Sequence, residues 1–162
     1  MHADTAANLM AQLSIPGDVR SKKNSKQLGR RGKGVYVATS DAHQVWEAGA
    51  VAYLMQLPEH HKRWRSGAVL SIYIELWRGT EAPYDPDNMG TSVLDAMVAA
   101  GTIPTDGLPL VYCVRTRHAG IDRENPRAEV TIYDGSDGPI SHPDGLHDGS
   151  RPSTTLDSLG SR

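Results

Sequence analysis

Residues 68–79, AVLSIYIELWRG, constrain the fold more than any other stretch of this chain. Leu70, Ile72, Ile74 and Leu76 alternate with Val69, Ser71, Tyr73 and Glu75. A period of two belongs to a β-strand, whose successive side chains point to opposite faces. One set is apolar and the other mixed, so this strand predicts a sheet with one buried face. Shorter runs at 9–15, 34–39, 108–118 and 127–134 read as further strands. Pro16-Gly17 ends the first of them.

Two helices separate these strands. Val45, Ala48, Ala52 and Met55 recur at helical spacing, with Trp46 and Tyr53 two turns apart beside them, which predicts a helix over 42–57. Ser40 or Asp41 suits its N-cap, and Pro58 ends it. After Asp87, residues Met89, Val93, Met97 and Ala100 form a second stripe, and Gly101 suits the C-terminal cap. The order β, β, α, β, α, β, β predicts a single α/β or α+β domain, a small mixed sheet packed with two main helices. That domain is expected over residues 1–134. From Gly135 to Arg162, Gly, Ser, Asp and Pro dominate, which predicts a disordered polar tail.

Composition narrows the class. The 162 residues are 38% hydrophobic, enough for one domain with a sizeable core. No apolar run approaches the roughly 20 residues that a membrane span needs. The N-terminus lacks the basic start and long apolar core of a signal peptide. The single cysteine, Cys113, excludes an internal disulfide and a cysteine-based zinc site, and reads as core. A cytoplasmic setting, in a bacterial or phage-infected cell, is the expectation. His60, His61 and His142 have no companions at metal-ligand spacing and read as surface residues.

The net charge of −2 is unevenly spread. Residues 20–33, RSKKNSKQLGRRGK, hold seven basic side chains and no acid. Gly29 and Gly32 mark this segment as a loop or hairpin arm. A glycine-rich basic loop is often plain solvated surface, but it also suits an anion such as a phosphate backbone.

The acids supply the second half of the pattern. In YDPDN, Asp85 and Asp87 flank Pro86, which disfavours helical backbone at Asp85. Read as extended, the two carboxylates point to the same side and repel unless a cation neutralises them. Oxygen-only ligands favour a hard ion such as Mg²⁺. Asp106, just after the second helix, is the candidate third ligand. Asp87 alone also fits a plain N-cap. An EF-hand fails where Met89 and Ala96 stand at ligand positions. Basic residues that hold phosphates and acids that hold a water-activating metal form the layout of a nuclease, shared with other phosphoryl-transfer enzymes.

The stretches IPGDVRSKKNSKQLGRRGKGVYVATSDAHQVWE, YDPDNMGTSVLDAMVAAGTIPTDG and NPRAEVTI, in this order, resemble the RusA-like Holliday junction resolvases, especially phage-type members. The resemblance covers about residues 13 to 134, and the ungapped D-x-D-N, L-D-A and Asp spacing is its specific part. It implies a homodimeric endonuclease that binds branched DNA by structure and cuts it with Mg²⁺, or with Mn²⁺ in its place. The family's metal-binding acids fall on Asp85, Asp87 and Asp106, which are then the catalytic residues. Asp95 matches a further family position, and Asn88 is placed to orient the carboxylates. Two departures stand out: Thr91 where the family often has Lys, and Thr105 where it usually has a first Asp beside Asp106. Lys22, Lys23, Lys26, Arg30, Arg31 and Lys33 would hold backbone phosphates with little sequence readout; Lys62, Arg63 and Arg65 are weaker candidates. Lys22, Lys23 or Lys26 would supply the charge of the missing Lys. The rival readings are a branched-DNA binder that has lost catalysis, and a metal-binding module whose basic loop contacts another protein.

Overall fold

The computed structural model describes residues 8–22, 26–31, 34–39, 41–62, 64 and 68–135, with backbone alone for 8, 26–31 and 34–39. In chain order the elements are β1 (Asn8–Pro16), β2 (Lys26–Arg31), β3 (Gly34–Thr39), α1 (Asp41–Met55), a 3-10 turn (Glu59–His61), β4 (Leu70–Arg78), α2 (Pro86–Ala99), β5 (Val111–Ile121) and β6 (Arg127–Asp134). The result is a single α+β domain, in which a mixed four-stranded sheet packs against two helices. The tail at 136–162 lies outside the described residues.

The strongest sequence strand sits near the centre. The sheet order is β1-β6-β4-β5, and β4 runs antiparallel to β6 and parallel to β5. Leu70, Ile72, Ile74 and Leu76 are all buried, as their alternation requires, and Ile132, Val130 and Ala128 of β6 lie beside Ile72, Ile74 and Leu76 in register. Leu13 and Ile15 of β1 continue that face. The opposite face carries Tyr73, Glu75, Thr131 and Tyr133, which are half-buried. Tyr73 and Tyr133 meet edge to face there, at 5.5 Å between ring centres.

The basic segment forms a hairpin arm. β2 and β3 pair antiparallel as a separate two-stranded sheet, with Lys26 opposite Thr39 and Arg31 opposite Gly34.

Four expectations are corrected. The apolar stripe assigned to the first helix faces outward: His43, Trp46, Ala50 and Leu54 are its buried residues, while Val45 and Met55 are exposed. Asp41 is its first helical residue rather than its cap, and Ser40 lies outside the described residues. The expected strand 108–118 begins later, at Val111, because Gly107 to Leu110 form a turn that Gly107 O closes on Val111 N at 3.1 Å. Cys113 is half-buried rather than core; it aligns with Ser71, on the sheet face away from the helices.

The second helix follows its expected pattern. Met89, Val93 and Met97 are buried and Ala100 packs partly against the core. Gly101 adopts φ +69°, and Thr102 N–H donates to Met97 O at 2.9 Å, which closes the helix end.

Candidate functional site

The mouth of α2 is built by local chemistry. Asp85 is extended, at φ −102° and ψ 111°, as the following proline demands. It is the N-cap, and its Oδ1 accepts from the N–H groups of Asp87 at 3.0 Å and Asn88 at 3.3 Å. Pro86 occupies the first turn, where its missing N–H costs nothing. Asn88 Nδ2 donates to Asp85 Oδ2 at 2.7 Å and fixes the carboxylate plane. Asp87 is therefore neither extended nor the cap; it stands in the first turn of the helix, so the same-side argument for the two acids does not hold. Both carboxylates are exposed, and among the described residues no cation pairs with either. The positive end of the helix dipole already favours two acids at this position.

Asp106 lies elsewhere. It follows the C-terminal end of α2, beside the turn that opens β5. The 14 residues of α2 span about 21 Å at 1.5 Å per residue, and the helix runs antiparallel to β4 and β5. Gly90 in its first turn lies against Thr116 of β5 and Tyr84, just before it, meets His118, whereas Asp106 adjoins the turn in which Val111 N–H, at the start of β5, donates to Gly107 O. Among the described residues, no three His, Cys, Asp or Glu side chains gather to hold an ion. Asp85, Asp87 and Asp106 of one chain thus do not fit a single metal site.

The basic candidates divide in the same way. Lys22 N–H donates to Ser92 Oγ at 3.2 Å, which ties the start of the basic segment to α2 one turn beyond Asn88. The Lys22 ammonium lies 3.9 Å from Asp95, which gives Asp95 a partner at the protein surface. Lys26, Arg30 and Arg31 lie on β2, placed by backbone alone. Lys23, Lys33, Arg63 and Arg65 lie outside the described residues, as does His142. Lys62 is occupied: its Nζ donates to Met55 O at 2.9 Å at the end of α1. Thr91 donates its hydroxyl to Asp87 O at 3.0 Å.

A buried polar cluster beside this mouth escaped the sequence reading. Arg78 is only 2% exposed; its guanidinium bonds Asp18, donates to Met89 Sδ at 3.3 Å, and lies 4.3 Å from the Tyr84 ring centre. Asp18 also pairs with Arg20 at 3.1 Å. Burial raises the Tyr84 phenol above its ordinary range, and Arg78 opposes that shift. Tyr84 OH and His118 Nδ1 share a hydrogen bond of 2.7 Å. The available signal was phase: Arg78 continues the inward series Leu70 to Leu76, so the alternation itself sends it inside. His43 is a second omission, 1% exposed, with Nδ1 2.7 Å from Arg20 O. His60 is exposed, as expected, and His61 is half-buried.

No protein-family model matches this chain, and no curated protein matches it either. The resemblance to the resolvases stands on the motif residues alone.

Proposed function

We propose that this chain is a structure-selective DNA endonuclease that acts on four-way junctions and other branched DNA, as a homodimer and with Mg²⁺ or Mn²⁺. The observation that carries the reading is a juxtaposition. The basic segment is tied at Lys22 to Ser92 of α2, one turn beyond Asn88, which orients the exposed carboxylate of Asp85 beside the exposed Asp87. Lys22, Lys26, Arg30 and Arg31 would hold backbone phosphates near that mouth, with Lys23 and Lys33 completing the arm. Asp85 and Asp87 are the residues that would hold Mg²⁺, an ion commonly bound by one or two carboxylates together with substrate phosphates. When bound, such an ion lowers the pKa of a water and stabilises charge on a phosphate. Asp106 of the same chain is not part of that set. Asn88 would keep the Asp85 carboxylate in one orientation through its 2.7 Å bond.

A second reading is favoured by specific observations: the remote Asp106, and Thr91 with its hydroxyl bound to backbone, suit a branched-DNA binder without catalysis. Cleavage of a labelled four-way junction in Mg²⁺, beside linear duplex of the same sequence, separates the two. The nuclease reading expects junction-selective nicking that Asp87→Asn abolishes. Tight, salt-sensitive junction binding without nicking, in Mg²⁺ and Mn²⁺ alike, identifies the binder. Neither binding nor nicking removes both and leaves the protein-contacting metal module.

A further inference from the structure

We infer that His118 is a further catalytic residue of the proposed nuclease site, donating a hydrogen bond from Nε2 to the scissile phosphate, and that Tyr84 positions its ring. This rests on the nuclease reading and adds to it a residue from outside both the acidic motif and the basic segment.

His118 reaches the mouth of α2 through the sheet. It aligns with Leu76 of β4, whose side chain is in the core, so it stands on the helix-bearing face of β5. Gly90, near the start of α2, lies against Thr116. His118 is the next residue of β5 on that face, about 7 Å further along the strand. There it meets Tyr84, the residue before Asp85, and it is exposed.

The ring is held from behind. Tyr84 OH and His118 Nδ1 share a hydrogen bond of 2.7 Å, and the two ring centres lie 5.8 Å apart. Tyr84 is in turn fixed by Arg78, whose guanidinium lies 4.3 Å from its ring centre. Arg78 has no freedom of its own: it is buried, bonded to Asp18 through Nε and Nη2, and donates to Met89 Sδ through Nη1. A buried ion pair is weak evidence for stability. Here it sets the place of Tyr84, and Tyr84 sets the orientation of the imidazole.

One polar atom is left over. With the phenol donating to Nδ1, the neutral imidazole carries its proton on Nε2. Among the described residues Nε2 has no partner. It is a donor, oriented and open to solvent, beside two carboxylates that no described cation neutralises. Those carboxylates repel a phosphate, and an ion between them offsets this only at the oxygen it touches. A second phosphate oxygen needs a donor from elsewhere, and Nε2–H supplies it. A donor aimed where charge develops speeds the reaction more than it tightens binding. No proton leaves Nε2 in this role.

Single-turnover cleavage of a labelled four-way junction by the full-length chain in Mg²⁺ tests the inference, with junction binding measured beside it in EDTA. His118→Ala should lower the saturating rate about 100-fold and leave the dissociation constant within about twofold of native. His118→Gln keeps an N–H donor of similar reach and should recover to within about tenfold of native. Tyr84→Phe keeps the ring over Arg78 and loses only the hydroxyl, so its rate should fall about tenfold. Adding Tyr84→Phe to His118→Ala should cost nothing further, because Tyr84 acts through the imidazole. Imidazole nitrogen NMR shifts of the metal-free chain read the ring without any reaction: His118 should be mainly the Nε2–H tautomer, and Tyr84→Phe should remove that bias.

A native chain that does not nick the junction overturns the nuclease reading and the inference together. Native nicking with an undiminished rate in His118→Ala overturns the inference alone. So does a loss shared equally between binding and rate, an additive double variant, or an Nδ1–H tautomer in the native spectrum.

Discussion

α1 and α2 are almost the same length, 15 and 14 residues, and they pack beside each other on one face of the sheet. They are held by different means. α2 is fixed at both ends and in its first turn: Asp85 caps its start, Gly101 closes its finish, and Gly90 presses against Thr116 of β5. α1 depends on one inward row, Trp46, Ala50 and Leu54, and leaves a second apolar row in water. The contrast teaches that apolar content does not say how firmly a helix is placed. Caps and points of closest approach do.

The sharpest way to break this comparison lies within α1 itself. Leu54→Ala, at a fully buried position, should cost about 3 kcal/mol. Val45→Ala, on the outer row, should change stability by no more than about 0.5 kcal/mol. Urea unfolding at low protein concentration checks both, and equal losses would mean that α1 has no distinct inner face in the single chain.

A glycine pair compares the helices directly. A Cβ at Gly90 would lie 2.1 Å from Thr116 Oγ1 and 3.1 Å from its Cβ, so rotating the threonine does not clear it. Gly90→Ala should therefore destabilise by about 1–2 kcal/mol despite its better helix propensity. Gly49→Ala meets nothing and should stabilise by about 0.5–1 kcal/mol. Melting curves of the two variants, taken in dilute solution, should move in opposite directions.

The smallest effects concern the cap. Asp85→Ala should cost about 1 kcal/mol, since it removes the acceptor for two backbone donors. Asp87→Ala should cost about 0.5 kcal/mol, through the helix dipole alone. A larger loss at Asp87, measured by the same unfolding experiment, would reveal a stabilising partner for Asp87 beyond the dipole.

These contrasts track what could be read in advance. The stripe of α2 was legible because Met89, Val93 and Met97 are large and the exposed positions Asp87 and Thr91 are polar. The stripe of α1 was not, because the helix offers two apolar rows and the inner one includes a histidine. What turns the inner row inward lies far along the chain: Arg20 O meets His43, and Gly17 faces the Trp46 ring, so close that a Cβ there would lie 3.1 Å from Trp46 Cδ1. Asp18 is likewise the distant partner that makes a buried Arg78 tolerable.

By itself the sequence determined the inward face of β4, the order of the two helices and of every strand except β2, the extended backbone at Asp85 and the closing turn at Gly101. Each of these depends on neighbours within a few residues, through side-chain alternation, the restriction before proline, or a glycine at positive φ. Only the tertiary structure decided that β5 lies parallel to β4. A parallel neighbour requires α2 to run back the full length of the sheet, which puts Asp106 at the end opposite Asp85 and Asp87. Only the tertiary structure, too, decided which row of α1 faces the core, because that choice is made by contacts with β1 and α2 rather than by the helix alone.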